Sequence, residues 1–300
     1  MFPPYTLKYT IKGQVSSARG ASSPVDEPGI IAYHGQMIGF LIKKTFFDLW
    51  DNLIKIVLVN LGFIASLAAP VFLPRLCESI PVLYWAVIAI GALWCFVYLA
   101  AAALSLKAVS DYGAFSFGDF LGNIKAGAPA GLLLGGLTFI LFLMGAVIIP
   151  FYINLETIPM VSLLLAAFVF WTMAVCIISL QFFFPIRSRL DTKLSKVFKK
   201  CFIIFFDNPG FCVFSFFHNL VLLVLSFFLA FLAPGPAGIL LYLDEAMRLR
   251  LLKYDWLEAN PDNSGGRPKR RKIPWDAILI DDRERTGSRT LRNFIFPWKD

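Results

Sequence analysis

The stretch from Phe115 to Pro150 constrains the fold more than any other part of the chain. It reads FSFGDFLGNIKAGAPAGLLLGGLTFILFLMGAVIIP, a polar and aromatic start followed by an apolar run long enough to cross a bilayer. Gly127, Gly131 and Gly135 recur every four residues and therefore share one helix face. Small residues at this spacing let a neighbouring helix approach closely in lipid, which favours helix packing over a pore lining. The pattern predicts an all-α integral membrane protein built as a bundle.

Composition agrees with a membrane domain that has polar ends. Apolar residues make up 58% of the 300 residues and charged residues only 16%, whereas a soluble domain has about 25% charged residues. We expect a polar segment and linker over residues 1–36, a helical membrane domain over 37–257 and a basic tail over 258–300. The net charge of +8 comes from particular loops and the tail, which indicates orientation in a membrane and not nucleic-acid binding.

Six apolar segments are candidate transmembrane helices. They cover residues 53–73, 81–106, 127–152, 158–184, 211–232 and 236–254. Segments that mix lysines with aromatic residues precede the first and the fifth of these, as in amphipathic helices at a membrane surface. These features predict about six transmembrane helices with interfacial helices beside them.

The sixth segment is ambiguous because its purely apolar run, 237–243, is too short to cross about 30 Å of hydrocarbon. Asp244 and Arg248 are four residues apart and can face each other on a helix. Such a compensated pair would let the helix continue to about residue 254. A helix that enters the membrane only partly is the alternative.

Basic residues predict the orientation. The connections 74–80, 153–157 and 233–236 contain one basic residue, Arg75, whereas the connection 185–200 contains two arginines and four lysines. Short loops rich in Lys and Arg face the cytoplasm. Six crossings with both termini cytoplasmic would keep every basic segment inside, and we expect this arrangement.

Three similar segments suggest an internal repeat. FFDLWDN, FGDFLGN and FFDNPG each precede a long apolar helix, and these helices meet Pro70, Pro150 and Pro234 respectively. The order of features predicts three stacked helical hairpins. The alternative is that transmembrane helices resemble one another because lipid permits few residue types.

Polar residues within the apolar segments are the first candidates for a functional site. Asn60, His218 and Asn219 lie at such positions, where polar groups either serve function or bond across helices. The five cysteines and two histidines form no cluster with metal-ligand spacing, so we expect no metal and no cofactor. No P-loop, HExxH or GxSxG motif occurs, and we therefore expect no enzyme activity. Asp281 and Asp282 fit a solvated charged turn better than a metal site.

The tail contains two candidate docking motifs and a basic cluster. The motifs are IPW, with Pro274 and Trp275, and FPW, with Pro297 and Trp298. Pro restricts the backbone and Trp offers a large apolar surface, so each motif could dock on a partner, on the membrane or back on the bundle. Arginines and lysines upstream could hold the tail to anionic lipid headgroups. These residues are Arg267, Lys269, Arg270, Arg271 and Lys272.

The chain from about residue 40 to 256 resembles the YesL-like family of bacterial multi-pass membrane proteins. The similar stretches are NLIKIVLVNLGFIASLAAP, AALSL and FGDFLGNIKAG, whereas PVFLPR replaces the threonine-containing turn expected after the first segment. The resemblance implies an accessory role beside carbohydrate uptake systems and carries no catalytic residues. We therefore expect a non-enzymatic protein of the bacterial cytoplasmic (inner) membrane that acts as an accessory or regulatory partner of a membrane transport complex. A transporter or channel for a small solute or lipid is the alternative.

Overall fold

Helices form the regular structure of the described part of the chain. The structure is a computed structural model that describes residues 30–155, 158–260, 273–287 and 289, and these ranges contain no strand. Residues 1–29 of the predicted polar segment 1–36, the basic cluster 267–272, Pro297 and Trp298 lie outside the described residues, while residues 30–36 are helical as the start of α1. The helices are α1 (Ile30–Asp51), α2 (Leu53–Phe72), α3 (Pro81–Ser110), α4 (Phe117–Leu143), α5 (Ile149–Ile153), α6 (Pro159–Leu180), α7 (Phe183–Arg189), α8 (Leu194–Asp207), α9 (Pro209–Phe228), α10 (Gly235–Ala259), α11 (Trp275–Ile278) and α12 (Ile280–Thr286).

Five helical stretches are long and apolar enough to cross a membrane. They are Leu53–Cys77, Pro81–Ser110, Phe117–Ile153, Pro159–Arg189 and Pro209–Phe228, with mean hydropathies of 2.2 to 2.7 in their most apolar windows. The prediction of an all-α membrane protein is confirmed at this level. The sixth candidate segment became α10, which is helical but is not one of the five.

The helix α4 begins earlier than the sequence analysis placed the third apolar segment. It starts at Phe117 instead of residue 127, because the polar stretch before the glycines forms its first turns. The hydroxyl of Ser116 accepts a hydrogen bond from the backbone N–H of Asp119 at 3.4 Å, as an N-cap does. A π-helical segment, Met144–Ile148, links α4 to α5 so that the helical stretch continues to Ile153.

The three glycines of α4 lie against α3. A methyl carbon added at Gly131 would come within 2.6 Å of the Val97 Cα atom, and one added at Gly127 within 3.1 Å of the Ala100 backbone. An added carbon at Gly135 would meet the Leu93 side chain at 3.0 Å. The backbones of α3 and α4 therefore approach so closely that no side chain fits between them at Gly131.

The core lies toward one end of the bundle, where α3 ends and α4 begins, and we call this the inner end. Its centre is α10, which packs against α1, α2, α3, α7 and α9. Thirteen residues of α10 are buried, including Asp244, Glu245 and Arg250. Residues 235–250 contain no exposed position, so this part of α10 has neither a lipid-facing nor a water-facing stripe and lies inside the bundle.

Candidate functional site

A network of buried charged and polar side chains occupies the inner end, and we call it the inner charge cluster. It joins residues of α1, α3, α7, α10 and α12 with Asp111 at the end of α3. Its members are Lys44, Thr45, Asp48, Ser110, Asp111, Arg189, Asp244, Glu245, Arg248 and Asp282.

One half of the inner charge cluster surrounds Glu245. Lys44 and Glu245 are each about 1% exposed, and Lys44 Nζ lies 3.3 Å from Glu245 Oε1. The same ammonium pairs with Asp48 and donates to the carbonyl oxygen of Ser110 at 3.2 Å. The Thr45 hydroxyl donates to the other oxygen of Glu245. These contacts fasten α1 to α10 and to the end of α3.

Lys44 stays protonated in this environment. Burial alone lowers the pKa of a lysine, but the carboxylates of Glu245 and Asp48 act in the opposite direction and raise the pKa of Lys44 above its ordinary value. The ammonium also lies 4.3 Å from the centre of the Tyr112 ring, a cation–π distance. The Lys44 side chain is therefore a buried positive charge whose counter-charges are the carboxyl groups of Glu245 and Asp48.

The other half of the inner charge cluster surrounds Asp244. Arg189 pairs with Asp244 and, through its other Nη atom, with Asp111 at 2.9 Å. The Ser188 hydroxyl donates to Asp244 at 3.1 Å. Asp111 also lies 3.5 Å from Nε of Arg248, so this carboxylate links α7 and α10.

The predicted pair between Asp244 and Arg248 is wrong. Asp244 bonds to Arg189 of α7, whereas Arg248 donates to both carboxylate oxygens of Asp282 on α12, at 3.0 and 2.8 Å. The spacing along α10 permitted the pair, but neighbouring elements supply better-placed partners. A bidentate Arg–carboxylate contact is the strongest geometry available to Arg248.

Asp282 also differs from its predicted state. The sequence analysis placed it in a solvated turn, but its side chain is buried within α12 and receives Arg248 and the Tyr112 hydroxyl, the latter at 3.1 Å. Asp281, its neighbour, is exposed. Among the described residues, no group of three His, Cys, Asp or Glu side chains has a geometry that could hold a metal ion.

Asn60 joins α2 to the turn that precedes α10. Its amide nitrogen donates to the carbonyl oxygens of Leu232 at 3.0 Å and Pro234 at 2.9 Å. Its amide oxygen accepts from the backbone N–H of Ala237 at 2.9 Å. The side chain is fully buried, and these bonds satisfy backbone groups of the turn that would otherwise be unpaired in an apolar environment.

His218 and Asn219 lie apart from Asn60, where α9 meets α6 and α10. The His218 ring stacks on Tyr242 with 4.1 Å between ring centres. The Asn219 amide donates to Gln181 at 3.3 Å. His218 Nδ1 and Asn219 Oδ1 have no hydrogen-bond partner among the described residues. The structure therefore does not bring the three predicted polar candidates to one site.

Two open clefts lie on the surface of the described part of the chain. One of about 420 Å³ lies between the end of α3 and the start of α4 and includes Ser105, Asp119 and Asn123. The other, of about 400 Å³, is a mostly apolar groove between α4 and α6 with Gln181 at one end. Neither cleft is lined by Asn60 or His218.

The IPW motif packs against the protein itself. Trp275 is 2% exposed and belongs to the core, while Pro274 is exposed. The segment that follows lies over α1, since Lys43 donates to the carbonyl of Gly287 at 3.2 Å and Arg289 pairs with Asp51 at 3.0 Å. Of the three docking surfaces considered for Trp275, namely a partner, the membrane and the bundle, the structure shows the bundle.

No protein-family model, no curated protein and no solved structure matches this chain.

Sequence reasoning missed Lys44, Arg189 and Asp111 as members of the inner charge cluster. The charged residues that interrupt the apolar run of α10 were a usable signal, and Asp244 and Arg248 were selected on that basis. The sequence carried no comparable signal for the partners of these charges, because partners come from distant elements; Lys44 and Glu245, for example, are 201 residues apart along the chain.

Proposed function

We propose that this chain is a non-enzymatic, multi-pass membrane protein that acts as an accessory or regulatory partner of a membrane transport complex. The resemblance stated above suggests carbohydrate uptake as the process. The proposal is best supported by Asn60, Asp244 and Glu245. The polar atoms of these buried side chains form hydrogen bonds that join one helix or turn to another. Buried groups used in this way support assembly instead of chemistry.

The packed interior also favours this proposal over a transporter or channel. Alanine, leucine and phenylalanine side chains of α3, α7 and α10 fill the core around Asn60 and Tyr242. A solute pathway would instead need polar side chains that face a continuous cavity. The transporter alternative is supported by His218 and Asn219, because each has one buried polar atom without a partner among the described residues that a solute could bind.

We place the inner end of the bundle in the cytoplasm of a bacterial cell, within the cytoplasmic membrane. The connection after α6 and the tail carry most of the lysines and arginines, as cytoplasmic segments do. The lipid bilayer then contacts the exposed apolar faces of α4, α6 and α9. In this orientation the basic cluster at residues 267–272 meets anionic headgroups of the inner leaflet.

In the hairpin arrangement that we propose, α2 with α3, α4 with α6, and α9 with α10 are the three helical hairpins. We propose that the FPW motif of the tail is the segment that binds a partner on the cytoplasmic side. Trp275 is not available for that contact because it is buried in the core. Trp298 takes this role.

The proposal is tested by purifying the full chain from its native membrane in a mild detergent, followed by mass spectrometry of co-purified proteins. We expect a stoichiometric membrane transport subunit with the wild-type chain and its loss with Trp298→Ala. The control is Trp85→Ala, which removes an exposed tryptophan near the outer end of α3. Recovery of a lone monomer in several detergents would contradict the accessory role, and solute flux in liposomes with the purified chain alone would favour the transporter.

A further inference from the structure

The first and the last described segments of the chain lie beside each other at the inner end of the bundle. The described chain enters through α1, and α1 touches the C-terminal segment through Lys43 with Gly287 and Asp51 with Arg289. A chain that leaves α1 and returns beside it must cross the membrane an even number of times. Given four crossings by α2, α3, α4 and α6, it follows that α9 and α10 either both cross or both remain on the inner side.

The depth of the turn between α9 and α10 decides between these alternatives. Asn60 binds the carbonyl oxygens of Leu232 and Pro234, so the turn lies at the depth of Asn60. Asn60 is twelve residues from the outer end of α2 at Phe72, or about 18 Å at 1.5 Å per residue. It is only about 10 Å from the start of α2 at Leu53.

The packing of α3 places the turn at the same depth. The Tyr98 hydroxyl donates to the carbonyl of Val59 at 2.8 Å, which sets Tyr98 level with the turn. Tyr98 lies seventeen residues, or about 25 Å, from the outer end of α3 at Pro81. Measured along either helix, the turn stops far short of the outer end of the bundle.

The register of α9 against α10 shows that neither helix extends much beyond the turn. The backbone N–H of Gly235 donates to the Ser226 hydroxyl at 2.9 Å, and the Tyr242 hydroxyl donates to Ser215 at 3.3 Å. The two helices are therefore antiparallel and paired from the turn toward the inner end. Only two residues of α9 follow Ser226, ending at Phe228.

Burial along α2 and α3 changes at the same depth. The buried residues of α2 end at Asn60, and those of α3 begin at Cys95. Residues 61–72 of α2 and 81–94 of α3 contain none. A hairpin that continued to the outer end beside these helices would bury part of these segments, as it does on the inner side of Asn60.

We infer that α9 and α10 form a re-entrant hairpin, which enters from the inner side and turns back at the depth of Asn60. The chain then crosses the membrane four times, by α2, α3, α4 and α6, in place of the six crossings expected from sequence. The charged residues of α10 lie level with Asp111 near the inner surface. None of them has to cross the hydrocarbon, where a charged side chain is costly.

Spin-label depth measurement tests this inference on the full chain in liposomes. Nitroxides are attached to Phe228→Cys, Leu61→Cys and Leu76→Cys in a background whose five native cysteines are replaced by alanine. Phe228 is the test position. Leu76, at the outer end, is the control matched to it in exposure, at 82% against 78%, and Leu61 marks the depth of Asn60. The contrast between oxygen and nickel-complex collision rates then reports the depth of each label.

A re-entrant hairpin predicts that the label at Phe228 has the same oxygen-to-nickel contrast as the label at Leu61, several-fold above that at Leu76. A contrast at Phe228 equal to that at Leu76 would place the turn at a membrane surface instead of within the hydrocarbon and would overturn the inference. If the cysteine-free background does not fold, a keto amino acid at the same three positions carries the nitroxide with the native thiols intact. The result does not depend on the proposed accessory function.

Discussion

Individual residues hold this bundle together through close approach and buried charge. Gly131 illustrates the first, because the Val97 backbone occupies the space where a side chain would stand. Asp244 illustrates the second, because its carboxylate is 2% exposed and receives Arg189 and Ser188. Both residues belong to sets that the sequence analysis selected, although it assigned Asp244 the wrong partner.

Gly131→Ala is expected to destabilise the protein, because its new methyl group must push α3 and α4 apart. Overpacking of this kind typically costs about 1–3 kcal/mol of unfolding free energy. Gly136→Ala is the matched control, since a methyl group there meets nothing within 4 Å. Thermal unfolding in detergent should show a lower midpoint for Gly131→Ala and an unchanged or higher one for Gly136→Ala. Equal midpoints would contradict the close α3–α4 contact.

Asp244→Ala is expected to lower the free energy of unfolding by about 3–5 kcal/mol, because it leaves the buried Arg189 without its main counter-charge. Asp281→Ala removes an exposed carboxylate from α12 and should change stability by less than about 0.5 kcal/mol. Denaturant titration of purified protein gives both values. A small effect of Asp244→Ala would mean that water compensates Arg189 and that the site is open.

At the scale of elements, α10 and α12 depend on each other. Arg248 extends from α10 to Asp282 of α12, and Tyr112 at the end of α3 contacts the same carboxylate. The sequence predicted α10 as the ambiguous sixth segment because its apolar run was short. It could not predict that α10 would be buried in the bundle, since this depends on charges supplied by α1, α7 and α12.

Asp282→Asn is expected to loosen the C-terminal segment, because it replaces the bidentate contact with Arg248 by a weaker neutral one. Hydrogen exchange of the backbone amides over residues 275–287 should accelerate at least several-fold. The control is Asp276→Asn, which breaks an exposed pair with Arg283 that contributes little. Equal exchange in both variants would show that Trp275 alone holds the segment.

At the scale of the whole molecule, the sequence predicted the class of the fold but not its internal arrangement. Apolar run length identified the five long helices, because the thickness of a bilayer sets that length. It could not fix the path of α9 and α10, since α9 is long and apolar enough to cross. The depth at which α9 ends is read from contacts between helices, such as those of Asn60, Tyr98 and Ser226, which the sequence does not reveal.

The candidate site was predictable only where it depends on local features of the chain. Helical spacing placed Gly127, Gly131 and Gly135 on one face, and a face is a local property of the chain. The inner charge cluster instead gathers residues from elements far apart in sequence, such as Lys44 and Glu245. From one sequence, a charged residue in an apolar run shows that an opposite charge is needed nearby, but it does not show which residue supplies it.

We propose that the chain spans a membrane with α1 and the C-terminal segment together in the cytoplasm. It is tested most directly by a membrane-impermeant maleimide applied to intact cells that express Glu78→Cys or Asp276→Cys in a cysteine-free background. Both positions are exposed, Glu78 at the outer end of the bundle and Asp276 in α11. The account predicts labelling of Glu78→Cys in intact cells and of Asp276→Cys only after permeabilisation. Labelling of Asp276→Cys in intact cells would contradict it.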